Sequence, residues 1–267
     1  MGRPPPPAIT PLPPETLLTA ALAAAIGGAI NAIAGGGTLV TFPALLALGV
    51  APVAANATST VALWPGTMAS LWGYRRAIAG AGVWARAWAL PSLAGGFVGS
   101  WLLLRTPDAR FAALVPWLIL GATALFMAQP LVLRHLAGTG MVASIDPTRE
   151  APPTRFLLFQ FLGAVYGGYF GAGLGIVMLA AMGLMGLRDI HQMNGLKNVG
   201  GGAINLVAVV LFATSGIVRW PLATVMLIGA MIGGYGGSRL AQRVGAAWVR
   251  RAVVVIGLSS AVYAFVR

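Results

Sequence analysis

Carboxylates are almost missing from this chain. Glu15, Asp108, Asp146, Glu150 and Asp189 are the only five acids among 267 residues, set against 17 basic ones. Charged residues make up 8% and apolar ones 58%, where a soluble domain carries about 25% charge and roughly 45–50% apolar residues. So little charge cannot cover a water-facing surface, which excludes a soluble globular enzyme. Disorder is excluded as well, because a chain stays unfolded in water only when it is poor in apolar residues. A polytopic helical membrane protein is left. At about 20 apolar residues per crossing, the length accommodates up to about ten segments with short loops.

The net charge of +12 would suit a nucleic acid if the cations formed one patch. Instead the arginines fall mainly in short gaps between apolar runs, the pattern by which cytoplasmic loops set topology. No nucleic-acid partner is expected. With no cysteine in the chain, disulfides, thiol chemistry and Cys metal sites are excluded.

Residues Met1–Pro14 hold seven prolines and lack the basic-then-apolar layout of a cleavable signal. They read as an irregular tail. Apolar runs follow at Leu17–Ala34, Thr38–Leu48, Val53–Trp72, Trp84–Leu104 and Phe111–Leu131. The second of these is too short to cross a bilayer without tilt or thinning, and it follows the triplet Gly35, Gly36 and Gly37. A polar linker occupies residues 134–155. Beyond it the order returns: Phe156–Phe170, a break at Gly171, Gly173 and Gly175, a short run at Ile176–Met185, then Ile190–Ala213, Trp220–Leu240 and Trp248–Val266. The expected architecture is an all-α transmembrane bundle of two repeats, 15–133 and 156–267, each with a glycine-broken segment and a short half-helix. The tryptophans at 72, 84, 88, 101, 220 and 248 fall near span ends, as an interfacial aromatic belt would place them.

An odd number of segments per half turns the second repeat over. In that inverted arrangement the arginines divide 11 against 5 between the two sides; if the short runs do not change sides they divide 9 against 7. The positive-inside rule favours inversion.

Inverted repeats with interrupted helices are a transporter plan. A broken helix exposes backbone N–H and C=O groups that lipid cannot satisfy, so it belongs beside a polar cavity or a ligand. A helix start also favours an anion. Gly35–Gly37 lead into Thr38, and Gly171, Gly173 and Gly175 lead into Ile176, so two facing half-helix starts would form one anion cradle. Glycines in membrane helices also serve as plain packing contacts.

Polar residues inside the spans extend the candidate site. Asn56, Thr58 and Ser59 open one long helix, and Asn194, Lys197 and Asn198 open its counterpart. Lys197 is the only lysine in the chain. It lies roughly 10 Å inside its span at about 1.5 Å per residue, and it shares one helix face with Asn194, Asn198 and Gly201. At this depth an ammonium must meet water, a partner or a substrate anion, or snorkel to the interface. Asp189 is placed to cap the same helix, and His191 beside it reads as an interfacial histidine rather than a proton carrier. Asn31 and Asn205 lie within helices and are expected to bond across to neighbours.

The stretch Gly35-Gly36-Gly37-Thr38-Leu39-Val40-Thr41-Phe42-Pro43-Ala44-Leu45-Leu46, followed by Ala55-Asn56-Ala57-Thr58-Ser59-Thr60 and Trp64-Pro65-Gly66, resembles the TauE/SafE family of membrane transporters. So does Gly171-Ala172-Gly173-Leu174-Gly175 followed by Met193-Asn194-Gly195-Leu196-Lys197-Asn198. The likeness runs over about residues 15–266, with Ala172 and Leu174 loosening the family's glycine pattern in the second half. It implies a multi-pass transporter of the cytoplasmic membrane for small anions, with sulfite and sulfonates such as sulfoacetate among the family's substrates.

The expected function is a secondary transporter of a small anion; an anion channel, or an importer of an organic anion, is the alternative on the same fold. No acid lies well inside a span, so neither an aspartyl protease nor proton symport through a carboxylate has its residues. No enzyme activity, metal or cofactor is expected. A negative-inside potential drives an anion outward with about 2.3 kcal/mol per charge per 100 mV, which favours export. The expected partners are the small anion, the lipid bilayer and, as an option, a second copy in a homodimer.

Overall fold

The structure, a computed structural model, describes residues 12–34, 36–138, 146–187 and 189–240, together with 254–255, 258–259 and 261–262. Among these the chain forms α1 (Pro14–Ala34), α2 (Thr38–Ala47), α3 (Pro52–Gly73), α4 (Gly82–Arg105), α5 (Asp108–Gly138), α6 (Thr154–Tyr169), α7 (Leu174–Leu184), α8 (Ile190–Ser215) and α9 (Trp220–Leu240), with no strand among the described residues. Gly35 and most of the Trp248–Val266 run lie outside the described residues.

The boundaries follow local chemistry. Pro52 begins α3, where its missing N–H costs nothing. Gly216, at φ 77°, ends α8 in the left-handed conformation. The Asp189 carboxylate accepts from the His191 and Gln192 N–H groups at 2.8 and 3.3 Å, capping α8 as its position suggested. Asp189→Ala is expected to lower the thermal stability of the purified protein, at a cost of about 0.5–2 kcal/mol, typical of a lost N-cap. α5 continues to Gly138, past the start of the stretch read as linker and through Pro116 and Pro130.

The main packing is α1 on α9 and α4 on α6, with α3 and α8 between them touching each other and both pairs. The two outer interfaces share one pattern. Added Cβ atoms on Gly229 and Gly233 of α9 would meet the backbone of Ala21 and Ala25, and one on Gly28 that of Ala230. In α4 the same happens for Gly95 and Gly99 against Phe161 and Val165, and for Gly168 of α6 against Gly96. Small residues spaced four apart let these backbones touch.

Contact registers also give direction. α1 and α9 advance together, as do α4 and α6. α3 runs with α9: Thr58 meets Arg219, and Gly66 meets Ala230. α8 runs with α4, since Gly200 meets Trp88 and Ile204 meets Gly96. α3 and α8 are opposed: Trp64 and Met68 meet Gly202, while Tyr74 and Ile78 meet Gly195. Thus α1, α3 and α9 point one way and α4, α6 and α8 the other. α2 and α7, of 10 and 11 residues, carry the chain back between parallel neighbours.

Leu18, Leu22 and Ile26 on α1, Leu90 and Phe97 on α4, and Ile228 and Ile232 on α9 all face outward, a surface suited to lipid. α4 and the His191–Ser215 part of α8 are long and apolar enough to cross a membrane. The tryptophan belt needs correction. Trp72, Trp101 and Trp220 are exposed, but Trp84 and Trp88 are fully buried and pack on Phe156 with ring centroids 5.6 and 4.6 Å apart. Their positions near a span end did not reveal that α6 covers that face of α4.

Candidate functional site

A cavity of about 70 Å³ lies inside the bundle, lined by Asn31 of α1, Thr67 of α3, Gly167 of α6, the break and first turns of α7, and Lys197 to Asn205 of α8. α8 delivers Lys197 to it. Because Asp189 fixes the helix start, Lys197 is set seven residues inside, with Asn198, Gly201 and Asn205 also at the cavity wall.

Lys197 is 5% exposed, and its ammonium donates to Asn194 Oδ1 at 3.0 Å. No carboxylate faces it. Among the described residues the one ion pair is Arg149–Asp146, in the exposed α5–α6 connection. There the Thr148 hydroxyl and N–H donate to Asp146 and hold its carboxyl below the usual range. Lys197 therefore brings a positive charge into the bundle without an acidic counter-group. An ammonium offers three N–H donors, and Asn194 takes one. Neutral polar groups complete the wall: Asn31, which donates to Thr67 Oγ1 at 3.4 Å, with Asn198 and Asn205.

The α6–α7 break borders this space. Gly171 and Gly173 both have φ 78°, which a side chain would strain. The N–H groups of Leu174, Ile176 and Val177 bond back to Gly171 and Gly173. Gly175 stands at the second helical position, where an N–H has no intrahelical acceptor, and it lines the cavity.

The glycine and polar candidates therefore separate. Gly171, Gly175, Lys197 and Asn198 line the cavity, and Asn194 holds the Lys197 head. Gly173 caps α7 against Ala122 instead. Gly36, Gly37 and Thr38 start α2 and are not among the residues lining the cavity, with Gly37 pressed on Gly27 and on the wall residue Asn31. Asn56 donates to the Tyr169 carbonyl at 3.0 Å, Thr58 accepts from the Arg219 N–H at 3.1 Å, and Ser59 shares a hydrogen bond with Thr41. Of the two half-helix starts, that of α7 borders the cavity, and the described part of that of α2 packs on Gly27 and on Asn31 of the cavity wall. Thr67 was missed by sequence reasoning. Its signal was a hydroxyl just after Pro65-Gly66, where proline interrupts the ladder of α3.

A cavity of mixed polar and apolar lining beside a buried lysine, within an apolar-faced helical bundle, suits a membrane transport protein. Residues 20–264 match the sulfite exporter TauE/SafE family, and the chain belongs to it. It is 30% identical over 236 residues to a probable membrane transporter protein of Haemophilus influenzae, covering 85% of this chain and 86% of that one. It is 28% identical over 243 residues to a probable membrane transporter protein of a Sinorhizobium species, covering 90% and 89%. The same identity over 243 residues relates it to the probable membrane transporter YfcA of Escherichia coli K12, covering 87% and 83%. No solved structure matches.

Proposed function

We propose that this membrane transporter moves a small anion, in the sulfur oxyanion and sulfonate class, outward across the cytoplasmic membrane as a multi-pass secondary transporter of two inverted repeats. The observation that carries the reading is Lys197: a buried cation with no carboxylate, at the wall of a polar cavity. The family's description and the membrane potential both favour export, since the potential alone drives an anion outward.

The packing supports the repeats. α1 and α6, α3 and α8, and α4 and α9 occupy equivalent places in the chain order and run in opposite directions. Ala21, Ala25 and Gly28 meet α9 with the same spacing as Phe161, Val165 and Gly168 meet α4. Aligning Asn56 with Asn194 sets Thr67 opposite Asn205, and aligning Gly28 with Gly168 sets Asn31 opposite Gly171. All four line the cavity, which supports a pseudo-two-fold running through it. The rest of its wall comes from the second half, where Lys197 lines the cavity; its counterpart Ser59 is fully buried and bonded to Thr41. Exchanging these two arrangements gives alternating access.

Proteoliposomes loaded with sulfite, sulfoacetate or a simple carboxylate provide the test. Saturable efflux of a sulfur anion, accelerated by a negative-inside potassium diffusion potential, is expected. Flux of none of these anions would overturn the reading, and single-channel currents would replace the carrier with a channel.

A further inference from the structure

We propose that the cavity selects a singly charged oxyanion over a doubly charged one of the same shape. This rests on the anion reading above and narrows it. Among the described residues lining the cavity, Lys197 is the only ionisable one. Its remaining wall offers neutral partners: the Asn31, Asn198 and Asn205 amides, the Thr67 hydroxyl and the Gly175 backbone at the α7 start. Such groups bond to oxygen atoms but supply no net charge.

Lys197 and Asn198 are 5% and 7% exposed, so water has little access to these two side chains. One ammonium balances one negative charge. A second charge would be buried without a counter-ion, which is the costly state for any ion removed from water. The wall also has an apolar part made by Leu174, Met178 and Ile204, which leaves one side of a tetrahedral ligand better matched by a neutral substituent than by another anionic oxygen.

An oxyanion whose second ionisation lies near neutral pH would enter as its protonated monoanion. The proton then travels on the substrate, and the protein needs no intramembrane carboxylate to carry it. None of the five acids lies well inside an apolar run of the sequence.

Sulfate, methanesulfonate and perchlorate test this, because all three are tetrahedral with five heavy atoms and differ in charge or in one substituent. Apparent affinities are read from the unfolding midpoint of the detergent-purified full chain as each sodium salt is titrated at constant ionic strength, since a ligand of the folded state raises stability by mass action. Both monoanions are expected to bind at least about tenfold tighter than sulfate, a difference of about 1.4 kcal/mol, and to lose that advantage in Lys197→Met. Sulfate binding as tightly as the monoanions would overturn the charge selectivity while leaving the anion site standing. Tight methanesulfonate with perchlorate no better than sulfate would assign the preference to the methyl contact, which also overturns it. If none of the three binds, and the sulfur anions of the transport assay do not bind either, the anion reading itself falls.

Discussion

Lys197→Ala is expected to weaken anion binding and transport strongly while leaving the fold intact or slightly firmer. The two effects have opposite causes. The ammonium is nearly enclosed and, among the described residues, donates to Asn194 Oδ1 at 3.0 Å, so folding carries the cost of its desolvation with no carboxylate to offset it. Deleting the charge relieves that cost. A bound anion, in contrast, loses a charge-assisted hydrogen bond worth about 1.5–3 kcal/mol, which is a weakening of roughly ten- to 150-fold. The measurement pairs substrate-induced thermal shift with efflux from proteoliposomes. A mutant that unfolds earlier and still transports normally would assign Lys197 a structural role.

Gly99→Val and Gly233→Val are expected to be the most destabilising single changes in the bundle. Each glycine sits where two helix backbones touch: Gly99 on Val165 and Tyr169, Gly233 on Ala25. A side chain there meets main-chain atoms that cannot rotate away, so the helices must separate along their whole contact. Overpacking typically costs about 1–3 kcal/mol, and a backbone clash belongs at or above the upper end. The two substitutions should cost similar amounts, because the interfaces share one geometry. Gly121→Ala is the control, with open space at its Cβ; it should be neutral or stabilising by about 0.5–1 kcal/mol through helix propensity. Loss of the monodisperse peak in detergent is the readout. A tolerated valine at either position would show that the helices do not pack as closely as described.

Much of this was legible in the sequence for reasons of chain chemistry. Runs such as Val53–Trp72 and Ile190–Ala213 became α3 and α8 nearly to the residue, because proline, glycine and a capping aspartate mark helix ends locally. Lys197 was conspicuous as a lone cation in an apolar span. Thr58 and Ser59 were equally conspicuous as polar residues, yet in this conformation they bond to Arg219 and Thr41 across the bundle. A hydroxyl at a helix face reads the same whether it meets a ligand or another helix. Trp84 and Trp88 were misplaced for the same reason, since burial depends on which helix lies alongside.

Chain chemistry alone set the solvent and the segments: too little charge for water, apolar runs of crossing length, two glycine breaks in matching order, and one lysine within an apolar run. These are properties of single stretches of chain, and the hydrophobic effect and backbone hydrogen bonding act on them directly. Only the tertiary structure decided which residues share a space. It joined Asn31 and Thr67 from the first half to Lys197 and Asn205 from the second, left the α7 start open, and packed the α2 start on Gly27. Those choices come from backbone contacts between helices far apart in sequence, such as Gly233 on Ala25, which no local pattern encodes.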